Sequence, residues 1–215
     1  MIDNVNTREY WDRRFAQGDW ERKGGFTQTA LFAHSQIPFI DLPASFSGSL
    51  CDFGCGAGDA FPVYRAAFPK AELIGVDFSL DAIRLCEERH GRIANFVCGD
   101  HCAVPKTDVV IASNVLEHIS DDEEVARQLS RNCRTLYVIV PFDEEIVPGG
   151  EHLRSYTRRS FASLAPTRSI VFPARGWSEF GNDLWTGIHL KNLIRPLLGR
   201  KRRKRAMQIM FQICT

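Results

Sequence analysis

The chain has 215 residues, 44% of them hydrophobic and 25% charged. That balance excludes disorder, collagen and coiled coil and fits a globular domain. Lys and Arg number 27 against 26 Asp and Glu, a formal charge of +1, which excludes a protein that coats nucleic acid through a strongly basic surface. No apolar run reaches the roughly 18 residues of a membrane span. The first residues are polar and lack the apolar stretch of a signal peptide. A cytoplasmic protein with no membrane span is expected, its oligomeric state left open.

In chain order, residues 8–16 predict an amphipathic helix carrying Tyr10, Trp11 and Phe15. The pair Gly24 and Gly25 breaks that pattern, and 29–39 predicts a second helix ending near Pro38. Residues 43–48 form a small-residue linker. Strands follow over 49–53, 72–78, 94–98, 108–112 and 135–140. Helices over 60–68, 80–90 and 121–130 lie between them. These strands are continuous apolar runs, the mark of a parallel sheet covered on both faces. After Pro141 the alternation stops. A long loop over 142–156 leads to a helix predicted over 158–164, then strands over 168–172 and 206–214 with a helix over 183–198 between them.

The seven cysteines are odd in number and form no C-x-x-C, which predicts reduced thiols. The six histidines are dispersed and form neither H-x-x-x-H nor H-E-x-x-H, so no metal is expected.

The first chemical signal is Asp52, Gly54, Gly56 and Gly58, a D-x-G-x-G-x-G run at the end of the first strand. Such a turn lets backbone approach a ligand, with a helix N-terminus behind it. The dinucleotide fingerprint would need glycine at position 59, which is Asp59. An acid at the strand end repels phosphate and suits an ammonium or sulfonium. Asp77 ends the second strand, where an acid can accept both hydroxyls of a ribose. A solvated helix cap is the plain structural alternative, since Ser79 and Asp81 follow. Asp100, at the end of the third strand, is placed to accept from an adenine amino group. The fourth strand runs into Asn114 and His118 beside the switch point of the sheet.

These motifs resemble the class I S-adenosylmethionine-dependent methyltransferases, in the small-molecule branch with the generic methyltransferase domain. The resemblance covers about 49–141 and extends loosely to both sides. It implies a Rossmann-like seven-stranded, mostly parallel α/β sheet with helices on both faces and one antiparallel strand near the edge. It implies S-adenosyl-L-methionine as cofactor and S-adenosyl-L-homocysteine as product, without a metal. The cofactor residues would be Asp52, Gly54, Cys55, Gly56, Gly58, Asp77, Phe78, Asp100, His101 and Asn114, with Tyr10, Gln28 and Thr29 closing over the methionine end. Residues 1–47 would be a helical cap and 48–215 the methyltransferase domain. The fourth motif lacks the N-P-P-Y arrangement of base- and glutamine-methylating relatives.

A hydroxyl acceptor must lose a proton, best to a group with pKa near 7. His152 is the candidate base; His118 is the second candidate, with a positioning role as its alternative. Glu151, Arg154 and Tyr156 suit a polar small-molecule acceptor, a sugar or another hydroxylated metabolite. A Glu–Arg bridge pinning the loop is the structural alternative. The basic run 200–205 keeps an RNA or other anionic substrate as second reading; a solvated turn explains the run equally. A nicotinamide-dependent oxidoreductase and a non-catalytic S-adenosylmethionine-binding module are the readings outside this class.

Overall fold

The computed structural model describes residues 5–174, 191–200 and 206–215. The basic run from 201 onward and the first part of the helix expected over 183–198 lie outside the described residues. Among the described residues seven strands form one sheet in the order β3-β2-β1-β4-β5-β7-β6. They are β1 Ser49–Phe53, β2 Glu72–Asp77, β3 Asn95–Cys98, β4 Thr107–Ser113, β5 Cys133–Pro141, β6 Arg168–Pro173 and β7 Met207–Cys214. β1 to β5 pair in parallel; β7 runs antiparallel between β5 and β6. This is the expected mostly parallel sheet with one reversed strand near the edge.

Each central strand feeds both faces, because successive side chains alternate. Leu50, Leu73, Ile111 and Ile139 join Phe61 and Tyr64 on one side. Cys51, Val76, Val110 and Val138 join Leu129 and Phe211 on the other. The helices up to residue 131 are α1 Arg8–Ala16, α2 Asp19–Arg22, α3 Gly25–Gln36, α4 Phe61–Ala67, α5 Leu80–His90 and α6 Asp122–Arg131; α4, α5 and α6 pack on the sheet, while α1 packs on α5 and α3 on α4. Thr7 Oγ1 caps α1 by accepting from the Tyr10 N–H, and Ser79 Oγ caps α5 by accepting from the Ala82 N–H. Ser79 also donates to Asp12, which ties α1 to the start of α5.

Three expectations change. The second helix starts at Gly25, not at 29, and ends in a separate turn over Ile37–Phe39. The expected break falls at Gly24, at φ 79, and Gly25 opens the next helix; a Cβ there would meet the Trp20 indole at 2.3 Å, so that glycine makes room for the ring. The helix expected over 158–164 is a turn and one short 3-10 turn, Ala162–Leu164. Phe161 sits at φ 57, outside the helical region, because its ring is buried and stacked on Tyr156 at 5.6 Å. The short helix α2 has no counterpart among the predicted elements.

The seven cysteines are free thiols. Among the described residues no helix is long and apolar enough to cross a membrane.

Candidate functional site

A cavity of about 1390 Å³ opens at the carboxyl ends of β1, β2 and β4. This is where the strand order reverses, the usual ligand crevice of an open parallel sheet. One end is built by the turn after β1. Gly54 and Gly56 have φ of +72 and +54, which favour glycine. A Cβ on Gly54 would also meet Val115 at 2.4 Å. Gly56 donates its N–H to Asp77 Oδ2 at 2.9 Å, and Ser79 donates to Oδ1 at 2.9 Å. Burial pushes the Asp77 carboxyl up to about 6, against the pull of these two N–H groups. Burial pushes Asp52 up to about 8, and the charge of Asp77 adds to it. Two crowded acids on neighbouring strands β1 and β2 favour a cationic guest.

Cys55, Phe78, Asp100, His101, Asn114, Gln28 and Thr29 also line the cavity. Gly58 does not. Its φ is +81, and a Cβ there would press on His90 and Cys86 at 2.9 and 3.0 Å, so it serves the contact with α5. Asn114, at φ 53, is held by Gln208, whose Nε2 donates to Asn114 Oδ1 at 2.8 Å. Gln36 links to the same group through Ser113 and Gln208. Gln36 and Gln208 are both 1% exposed; neither was singled out in sequence. A glutamine inside the apolar run of β7 was the available signal.

Another part of the cavity wall gathers Glu117, His118, Glu144, Glu151 and His152. His118 Nδ1 lies 3.1 Å from the Glu151 carbonyl, which can only accept, so Nδ1 carries the proton and Nε2 is bare. Burial holds the His118 imidazole down to about 4, with nearby His152 adding to the shift. His152 Nδ1 bonds Glu144 Oε2 at 2.5 Å. Burial works to lower the His152 pKa, but the Glu144 bond and the charges of Glu117, Glu144 and Glu151 outweigh it and raise it. Glu117 is pushed up to about 8 by burial. The two imidazoles meet edge to face with centroids 5.0 Å apart.

Helix α1 closes this part of the wall. Tyr10 and Arg14 both bond the Glu151 carboxylate, and Asn6 donates to its carbonyl at 2.6 Å. Trp11 stands edge-on to His118 at 5.2 Å; Trp11, Phe15 and Trp20 form an aromatic cluster, with Arg14 over the Trp11 and Trp20 rings. Tyr10 therefore pins the 142–156 loop instead of lining the main cavity.

Two of the expected acceptor residues are elsewhere. Tyr156 is 2% exposed and donates to Asp122 at 2.8 Å. Arg154 pairs with Asp122 and donates to the Ser120 carbonyl. Both fasten the loop to α6, because the chain turns away from the cavity after His152. Glu151 lines the cavity, but its carboxylate is engaged by α1.

Residues 51–135 match the family model described as "Methyltransferase domain". A trans-aconitate 2-methyltransferase of Azoarcus sp. (strain BH72) is 24% identical over 144 residues, 63% of this chain and 56% of that enzyme. This chain thus spans little more than half the length of that curated relative. Among solved structures, the complex between the Haloferax volcanii Trm112 methyltransferase activator and a methyltransferase contains a similar chain. Its TM-score is 0.69 at 16% identity, covering 95% of this chain and 97% of that one. Coclaurine N-methyltransferase, solved with N-methylheliamine and S-adenosylhomocysteine, matches at TM-score 0.64 and 10% identity, covering 87% of this chain and 72% of that one. Residues 51–135 match a methyltransferase domain model, and the chain has the fold of the class I S-adenosylmethionine-dependent methyltransferases.

Proposed function

We propose that this chain is an S-adenosylmethionine-dependent methyltransferase acting on a hydroxyl oxygen of a small, polar, non-anionic acceptor. The observation that carries this reading is the Gly56–Asp77 clasp beside Asp52, a glycine cradle with two acids whose carboxyls are held above their ordinary range. A sulfonium-bearing nucleoside fits that cradle: hydroxyls for Asp77, an adenine for the side of Asp100, and positive charge for Asp52. A pyrophosphate does not fit, which counts against a nicotinamide cofactor.

When bound, S-adenosylmethionine supplies a methyl group on a sulfonium. The remaining work belongs to the chain. Most of it is alignment of donor and acceptor, which is the main source of rate in such a displacement. The Glu117, His118 and His152 part of the cavity is the acceptor wall in this reading. There His152 Nε2 takes the hydroxyl proton, with Glu144 holding the ring from behind. Residues 1–47 act as a cap over 48–215, and Trp11, Phe15 and Trp20 exclude water.

The acceptor class follows from charge. Asp121, Glu124, Asp143, Glu144 and Glu145 line the mouth, with Arg14 and Arg195 as the cationic lining residues among those described. That mouth repels a polyanion, which counts against RNA and against a tricarboxylate such as the substrate named for the relatives. The test is calorimetry with S-adenosylhomocysteine and with NAD, followed by a screen of hydroxylated acceptors with radiolabelled methyl donor. Micromolar binding of the first and none of NAD is expected. No affinity for S-adenosylhomocysteine overturns the reading.

A further inference from the structure

Proton transfer to His152 leaves one feature at the acceptor wall without a use. Glu117 is 1% exposed, lines the cavity, and its Oε2 has no hydrogen-bond partner among the described residues. A carboxylate taken out of water is costly unless it is paired or coordinates a metal. Glu117, His118 and His152 each offer one ligand atom, and these atoms all lie within 4.8 Å of one another. Both imidazoles are already engaged at Nδ1, His118 by the Glu151 carbonyl and His152 by Glu144. Both Nε2 lone pairs are therefore the atoms left for a ligand. A carbonyl or carboxylate behind the ring is the arrangement that orients metal-binding histidines.

Asp100, His101 and Cys102 also lie close together. There Asp100 Oδ1 already accepts from the Cys102 N–H at 2.9 Å, and no buried polar atom of that group is left unpaired.

We infer that Glu117, His118 and His152 bind a single divalent transition-metal ion, zinc by preference. Two imidazoles and one carboxylate form a donor set that zinc uses with its fourth position open. Ligands at about 2.0–2.2 Å from the ion would stand roughly 3.3 Å apart, so small inward rotations of the side chains close the site. The inference deepens the methyl-transfer reading and rests on it. With the ion in place, the open position faces the acceptor hydroxyl, and the ion takes over the activating role given above to His152 Nε2. The O–H bond breaks and its proton leaves past Glu144 and Glu145 at the mouth to bulk solvent. An oxygen electron pair forms the bond to the methyl carbon, and the C–S pair stays on sulfur. The ion undergoes no redox change.

The test uses the full chain, stripped with a chelator and titrated with zinc sulfate by calorimetry, with metal content measured after dialysis. One zinc per chain is expected. Cobalt(II) in its place should give visible absorption of a histidine-ligated ion. Glu117→Gln and His152→Asn should weaken zinc binding by more than about 100-fold, and Glu144→Gln by about 10–100-fold, the range for losing a partner behind the ring. Cys102→Ser should bind as the wild type does. Circular dichroism of the stripped proteins checks that each variant folds; should one not fold, the Glu144→Gln titration and the wild-type cobalt spectrum carry the test. Stripped wild type that takes up no zinc, or His152→Asn with undiminished affinity, overturns the metal site. S-adenosylhomocysteine binding by the stripped protein is measured alongside. If it persists while zinc fails, the metal site alone falls; if it is absent, the methyl-transfer reading falls too.

Discussion

Gly56 donates its backbone N–H to the Asp77 carboxylate at 2.9 Å, across 21 residues of chain. The glycine turn after β1 and the acid that ends β2 are thus one object. The turn holds the acid, and the acid holds the turn open. Damage to either partner is expected to reach the cofactor through the other.

Asp77→Ala should weaken S-adenosylhomocysteine binding by about 1.5–3 kcal/mol, the range for hydrogen bonds to a charged group. Asp77→Asn keeps the shape and removes the charge. Calorimetry on both variants separates the two contributions, and an unchanged Kd would remove Asp77 from the cofactor site.

The raised acids give that binding a pH dependence. Asp77 sits at about 6 in the folded chain, above its unfolded value. The protonated form is therefore the one that favours the fold, and its contribution fades as pH rises toward that value. Ribose hydroxyls need the ionised form, so cofactor affinity should climb as pH rises through about 6. Asp52 sits at about 8, and a cationic ligand should expel its proton near neutrality. Calorimetry in buffers of different ionisation enthalpy reads that release; identical heats in all buffers would count against it.

Gly54→Val should unfold or severely destabilise the turn, because its Cβ would meet Val115 at 2.4 Å from a backbone at φ +72. Gly56→Val differs. The nearest atom to its Cβ is on Phe15 at 3.5 Å, so φ +54 alone sets the strain. The expected order of thermal stability is wild type, then Gly56→Val, then Gly54→Val.

His152→Ala should lower turnover by about 10²–10⁴ and leave cofactor affinity nearly unchanged, the scale of general acid–base catalysis. A two- or threefold loss would reduce His152 to scaffolding.

Tyr156→Phe removes the hydroxyl that donates to buried Asp122. It should cost about 1–3 kcal/mol of stability without changing KM. A raised KM with unaltered stability would return Tyr156 to the acceptor site.

Much of this was legible because the sheet is parallel. The central strands β1, β4 and β5 are buried on both faces, so runs such as 108–112 announce themselves, and the acids Asp52, Asp77 and Asp100 lie at or just past the ends of β1, β2 and β3. Local spacing therefore sufficed to place Asp52, Asp77 and Asp100 along one cavity. It did not suffice for the acceptor side. His152 lies 34 residues beyond His118 in an irregular loop, and long-range bonds bring the two rings together: His118 to the Glu151 carbonyl, the Leu153 N–H to the Glu117 carbonyl, and α1 to the Glu151 carboxylate. Arg154 and Tyr156 misled because adjacent loop residues can face opposite ways, here toward Asp122. Phe161 broke the expected helix for a reason no local pattern carries, a stacking partner five residues earlier.

The reversed strand orders the opening of the sheet. Among the described residues, β6 hydrogen-bonds to the sheet only through β7, which sits between it and β5. Whenever β7 lifts away, β6 loses its ladder as well, while β1 to β5 and the turn at Gly56 keep theirs. Amide exchange in β6 should accordingly be no slower than in β7, and both should exchange ahead of β1 and β4. The chain would then hold its nucleoside end through excursions that release Gln208, and with it the Asn114 side chain, from the floor of the cavity.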